Sequence, residues 1–215
     1  MHVRSLAGIA CAAILGLVPA TAQAQFTTYT SLASYLAAIS GPATDTYDDL
    51  APLGSQGTGE LNRTVGAYSY RATNAEFFTV GTIADVWLSS NFVGSAITLN
   101  NFSSNVRGVG GYVFSTDIDG FVITPSRVIV RYANAGGTFT STLTNPTSSS
   151  FFGVTSSSAI TSFEVVDQTD GGGWSTINDL VLGGSPSVVP EPATYALVAA
   201  GLAVMGVASK RRRKN

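Results

Sequence analysis

Between Gln25 and Val189 the chain carries twelve carboxylates, five arginines and two tryptophans, but no histidine, cysteine, lysine or methionine. Without His or Cys, a Ser-His-Asp or Cys-His nucleophile, a structural zinc and an imidazole general base are all excluded from this stretch. The remaining catalytic option is a carboxylate pair of the glycosidase kind. Glu60, Glu76 and Glu164 are the only glutamates available for it, and they are scattered without a shared short motif. In "STDIDGF", Asp117 and Asp119 stand two apart ahead of Gly120. Two carboxylates on a glycine turn can ligate a calcium ion. A plain Asp-Gly hairpin turn accounts for the same residues, and no Glu sits at the spacing an EF-hand requires. Asp48-Asp49 reads as the solvated end of a strand. Trp174 follows Gly171, Gly172 and Gly173 and is expected on a loop, where an indole can stack on a sugar ring. Trp87, flanked by Val86 and Leu88, is expected in the core.

The elements that must position these residues follow from periodicity. "TYTSLASYLAAIS" places Leu32, Tyr35, Leu36 and Ile39 at helical spacing, with Thr30 or Ser31 as N-cap and Gly41-Pro42 as a stop. Beyond it, runs of Val, Ile, Phe, Tyr and Thr are punctuated by Gly, Asn, Asp and Ser. They predict strands at roughly 44–49, 66–72, 75–81, 84–89, 95–100, 107–115, 118–124, 127–133, 137–144, 150–155, 160–167 and 176–182. In "RVIVRYA" the alternation puts Val128, Val130 and Tyr132 on one face and Arg127, Ile129 and Arg131 on the other. Many short strands with regular turn signals indicate an all-β fold, an antiparallel β-sandwich of jelly-roll type with one short N-terminal helix. Nothing repeats at a fixed period, and no disulfide framework is available to the domain.

Charge divides the chain into parts with different roles. Five arginines against twelve acids give residues 25–189 a net charge of −7, although the whole chain carries only −2. Nucleic acid is thereby an unsuitable partner, since phosphate binding needs clustered Lys and Arg. The start, "MHVRSLAGIACAAILGLVPATAQAQF", has a basic residue, Arg4, then an apolar stretch, then Ala22-Gln23-Ala24 as a cleavage site. That order reads as a signal peptide, residues 1–24, directing export through the Sec machinery with cleavage by signal peptidase before Gln25. Cys11 does not mark a lipoprotein, because Gly8 sits where a branched aliphatic residue is required. From Ala193 to Ser209 no residue is charged, which predicts a short transmembrane helix. Lys210, Arg211, Arg212, Arg213 and Lys214 follow at once and would stay cytoplasmic as a stop-transfer cluster, in a tail of residues 210–215.

Pro190, Glu191 and Pro192 lie in the linker 186–192, at the outer edge of that segment. Two prolines exclude regular helix or sheet pairing there, leaving an extended strand that a processing enzyme can grip. The whole tail, "VPEPATYALVAAGLAVMGVASKRRRKN", closely resembles a PEP-CTERM sorting domain: the Pro-Glu-Pro triplet, a Gly- and Ala-rich membrane segment and an Arg-rich end, in that order. The resemblance implies that the protein is the substrate of an exosortase, an integral-membrane cysteine protease or transpeptidase of exopolysaccharide-making Gram-negative bacteria. It implies too that Pro190, Glu191 and Pro192 are recognised rather than catalytic. The region 25–185 is also similar to the β-sandwich domains found ahead of this signal, which close on a strand such as Asn178-Asp179-Leu180.

The reading is therefore an exported, exosortase-processed protein of the cell envelope or extracellular matrix, anchored in the inner membrane as a precursor and non-catalytic. Two alternatives stay open. A carbohydrate-binding module would use exposed aromatics such as Trp174 on exopolysaccharide, with calcium near Asp117 and Asp119. A secreted polysaccharide hydrolase would need two carboxylates across a groove. No other cofactor is expected. Neutralising Arg211, Arg212 and Arg213 together removes the electrostatic hold on the cytoplasmic side. The expected result is unprocessed chain in the medium, seen by immunoblot of culture supernatant against the parent.

Overall fold

The computed structural model describes residues 25–185 together with Leu202. The signal peptide 1–24, the linker 186–192, the membrane segment 193–209 and the basic tail 210–215 lie outside the described residues, apart from that leucine. Among the described residues no helix is long and apolar enough to cross a membrane.

Thirteen strands and one helix succeed one another: β1 (Phe26–Tyr29), α1 (Leu32–Ala38), β2 (Ser40–Asp45), β3 (Glu60–Val65), β4 (Tyr68–Thr73), β5 (Phe77–Thr82), β6 (Asp85–Ser90), β7 (Ile97–Asn100), β8 (Gly108–Thr116), β9 (Arg127–Asn134), β10 (Gly137–Thr144), β11 (Phe151–Ser156), β12 (Ile160–Asp167) and β13 (Trp174–Gly184). They form two antiparallel sheets packed face to face. One has seven strands in the order β1-β11-β8-β13-β6-β5, with β2 joined to β13; the other has six, in the order β10-β9-β12-β7-β4-β3. Alternation explains the packing. Val128, Val130 and Tyr132 of β9 are buried, as are Leu99 of β7, Phe163 and Val165 of β12, Val109 and Val113 of β8, Phe152 and Val154 of β11, and Leu88 of β6. All belong to one apolar cluster between the sheets.

The sequence expectations are corrected at four places. Residues 118–124 are a turn rather than a strand, with a single bridge between Thr116 and Val122. There the Asp117 Oδ1 accepts the Asp119 and Phe121 amides, each at 2.9 Å, a local bonding pattern that competes with a ladder. Gly41-Pro42 does not interrupt the chain but lies inside β2, which pairs with β13 alone. An edge strand tolerates a missing amide. The short strand β1 and the polar strand β3 are additional; β3 pairs only with β4, so its exposed side needs no apolar residues. The helix spans only Leu32–Ala38 because Thr28 and Tyr29 are taken by β1.

At seven residues α1 cannot be stable through its own hydrogen bonds. It is held by the outer face of the seven-stranded sheet, where Tyr35 and Ile39 join Phe151 and Val181 in a second apolar cluster. The Tyr35 hydroxyl donates to the Val181 carbonyl at 3.0 Å, and Leu36 is left 38% exposed. Glycines permit this approach. A Cβ on Gly108 would stand 2.6 Å from Ile39, and one on Gly153 would stand 2.9 Å from the Tyr35 ring.

The two sheets are tied at one side by a buried carboxylate. Asp45, 5% exposed at the end of β2, accepts Arg63 Nε at 2.9 Å and Nη2 at 2.5 Å from β3. It also accepts the Tyr70 hydroxyl of β4 at 2.7 Å. Arg63 reaches Asp49 as well, at 2.8 and 2.7 Å, and its guanidinium lies 5.6 Å from the centroid of the buried Tyr47 ring. The hydrogen bonds from Arg63 hold the Asp49 carboxyl below its ordinary range. Replacing Arg63 with Met leaves Asp45 charged, buried and without its cation, which should cost on the order of 3–5 kcal/mol at neutral pH. Because the folded pKa of Asp49 is depressed, its share of stability is present above the unfolded value of 3.8 and lost as pH falls through the folded pKa. The gap between parent and Arg63→Met should therefore narrow below pH 3.8, measured by urea denaturation across pH.

Candidate functional site

Trp174 is the first residue of β13, not a loop residue, and pairs with Thr116 of β8. The three glycines before it explain the placement. Gly171 and Gly172 take positive φ values of 92° and 86°, a backbone that side chains disfavour. Gly173 lies flat on the buried end of the sandwich: a Cβ there would stand 2.3 Å from Ser115 Oγ and 3.0 Å from Asp167 Oδ1. The Gly173 carbonyl accepts the Gly94 amide at 2.9 Å. Beneath it the buried Asp167 accepts the Ser115 hydroxyl at 2.7 Å, while its amide donates to Ser175 Oγ at 2.8 Å.

So fixed, the half-buried indole of Trp174 forms one wall of a cleft of about 280 Å³. Phe78 and Val80 of β5 and Ser89 and Ser90 of β6 build the opposite side, and Asn91, Asp117 and Ile118 close the rim. The turn that carries Asp117 is seated on β5, since a Cβ on Gly120 would stand 2.9 Å from Val80. The cleft adjoins a row of hydroxyls across three strands: Ser89 Oγ is 3.0 Å from Thr176 Oγ1, which is 3.1 Å from Thr116 Oγ1. Apolar groups stand exposed on the neighbouring loops, with Ile118 at 74%, Phe121 at 71% and Phe92 at 51%. The cleft thus combines an indole wall and an apolar fringe with hydroxyl and amide groups and one carboxylate, Asp117.

The structure thus brings Trp174 and Asp117 to one cleft, a proximity that 56 intervening residues conceal in the sequence. Asp119 is exposed on the same turn. Among the described residues no group of three or more Asp, Glu, His or Cys is gathered to hold a metal ion. Trp87, expected in the core, is instead half buried on the outer face of the seven-stranded sheet, edge-on to Phe114 with ring centroids 5.0 Å apart. Its indole nitrogen is buried without an acceptor. The glutamates are dispersed and separately engaged: Glu60 with Arg71, Glu76 with Ser55, Glu164 with Arg131. Phe78, Val80 and Asn91 belong to the cleft without any sequence signal, because β5 and β6 meet the Asp117 turn only in the folded sheet.

Pro190, Glu191 and Pro192 and the cluster Lys210 to Lys214 lie outside the described residues. Their assignment rests on comparison: residues 188–213 match the family model of the PEP-CTERM protein-sorting motif. This is a β-rich protein carrying a PEP-CTERM sorting domain. It is exported and sorted by an exosortase, from a membrane-anchored precursor to the cell surface. No curated protein matches the chain.

Gly173→Ala should force the strand start away from Ser115 and Asp167. The expected cost is roughly 1–3 kcal/mol, as for other overpacked positions, with a red shift of tryptophan emission as the Trp174 wall opens. Thermal melts and fluorescence of the purified chain check both.

Proposed function

We propose that the β-sandwich is a non-catalytic module of the cell envelope or extracellular matrix that contacts neutral polysaccharide through the Trp174 cleft. The observation that carries this reading is the held indole: a three-glycine turn and a buried carboxylate fix Trp174 against a cleft whose remaining polar groups are mostly neutral. Asp117 is the single carboxylate lining that cleft, whereas both glycosidase mechanisms use two. Net charge of −7 over residues 25–189 argues further against bulk attraction to acidic polymers. Delivery precedes this role: signal peptidase releases Gln25, the uncharged segment 193–209 halts the chain in the inner membrane, and exosortase acts at Pro190, Glu191 and Pro192.

Two measurements test the reading in its two parts. Mass spectrometry of the surface form should find a mature chain beginning at Gln25 and ending near Pro190 to Pro192. Peptides from Tyr195 to Ser209 in that form would contradict processing. For the cleft, the chain should be retained on the producer's own exopolysaccharide, and Trp174→Ala should weaken retention by about 0.5–1.5 kcal/mol or more with an unchanged circular dichroism spectrum. Equal retention by the variant, or none by the parent, would remove sugar contact at Trp174.

A further inference from the structure

Strand β13 changes partners along one edge. Thr176 and Ile177 pair with Ser89 and Leu88 of β6, and that ladder then stops. A ladder to β2 begins at Leu180, opposite Asp45. On the other edge the pairing with β8 is bulged between Asn178 and Val181, and Asp179 takes a positive φ of 48°. Asn178 and Asp179 thus occupy a notch between the ends of two strands.

Acidic groups converge on this notch from three elements. Asp85, at the start of β6, accepts the Asn178 Nδ2 at 2.9 Å. Asp48, just beyond β2, accepts the neighbouring Val86 amide at 3.0 Å. Asp179 follows Asn178 in the chain; burial, and then the Asp85 and Asp48 charges, hold its carboxyl above the ordinary range. The arginine salt bridges among the described residues go elsewhere, from Arg63 to Asp45 and Asp49, from Arg71 to Glu60 and from Arg131 to Glu164.

An independent observation comes from Asn178. The residue is 6% exposed, and its amide nitrogen is committed to Asp85. Its Oδ1 is buried and has no hydrogen-bond donor among the described residues. A buried acceptor without a donor beside carboxylates that meet no arginine is an arrangement that a cation can satisfy.

We propose that this notch binds a divalent cation of the calcium type, with the Asp85 and Asp179 carboxylates and the Asn178 amide oxygen as protein ligands. Calcium takes six to eight oxygens, mixing carboxylates, amide carbonyls and water in flexible geometry. No three carboxylates are drawn into a cage here, so the amide oxygen and water complete the shell and Asp48 adds charge at its margin. The ion would join β6, β2 and β13 where their ladders are interrupted. This site is separate from the turn of Asp117 and Asp119 and independent of the Trp174 cleft.

The test is a calcium titration of the full chain, purified in detergent and stripped with EGTA, followed by thermal melting and titration calorimetry. The melting temperature should rise by about 5–10 °C at calcium one hundredfold above its dissociation constant, and fall back on adding EGTA. Asp85→Asn and Asp179→Asn should each abolish the rise, whereas Asp117→Asn should keep it. In EGTA, Asp179→Asn should melt at or above the parent, since one repelling charge is gone. The proposal is overturned if the parent shows neither binding heat nor a calcium-dependent rise. It is equally overturned if both notch variants retain the rise, or if Asp117→Asn alone abolishes it.

Discussion

The buried carboxylate of Asp45 is the constraint around which the two sheets are arranged. Taking a carboxylate out of water is tolerable only where a cation and hydrogen-bond donors meet it in good geometry. Here they come from the opposite sheet, Arg63 from β3 and Tyr70 from β4, while Asp45 itself ends β2 of the seven-stranded sheet. The requirement therefore sets how β2 sits against β3 and β4. It places Tyr47, fully buried, with its hydroxyl 3.2 Å from that of Tyr70. Because β2 is committed in this way, it can pair with β13 only from Leu180 onward, and the change of partner at Asn178 and Asp179 follows.

The outer face of the seven-stranded sheet is divided between two uses. At one end glycines at positions 108, 153 and 183 lower the surface so that Tyr35 and Ile39 can lie on it. At the other end bulky residues stand on the same face, Phe78 and Val80 from β5 and Trp174 from β13, and among the described residues no helix covers them. Small residues thus mark where the protein closes on itself, and large ones line the cleft. The cleft depends on the strand order, since β5 and β6 lie beside the start of β13 only because β13 crosses the middle of the sheet.

Delivery and activity are physically separate in this chain. The sorting motif at residues 188–213 acts as an address and follows the strands of the sandwich in the chain. The sandwich, without cysteine, histidine or lysine, depends on apolar burial and on a few well-satisfied charges.

What the sequence determined on its own was whatever depends on neighbouring residues. Alternation in "RVIVRYA" marked β9 and its buried face, and local strand texture disclosed the all-β architecture. The sorting motif was equally legible, because it is written in contiguous residues, 188–213. Strand order, by contrast, is set by partners far apart in the chain, and so were the features that rest on it. β3 escaped notice because an edge strand can be polar, and residues 118–124 read as a strand because apolar content does not show that Asp117 bonds its own turn. Trp174 was visible as a candidate, but its place in β13 and its meeting with Asp117 and Phe78 were not. The convergence of Asp48, Asp85 and Asp179 was hidden for the same reason: it arises where β13 passes from β6 to β2, a hydrogen-bonding event that only the folded sheets decide.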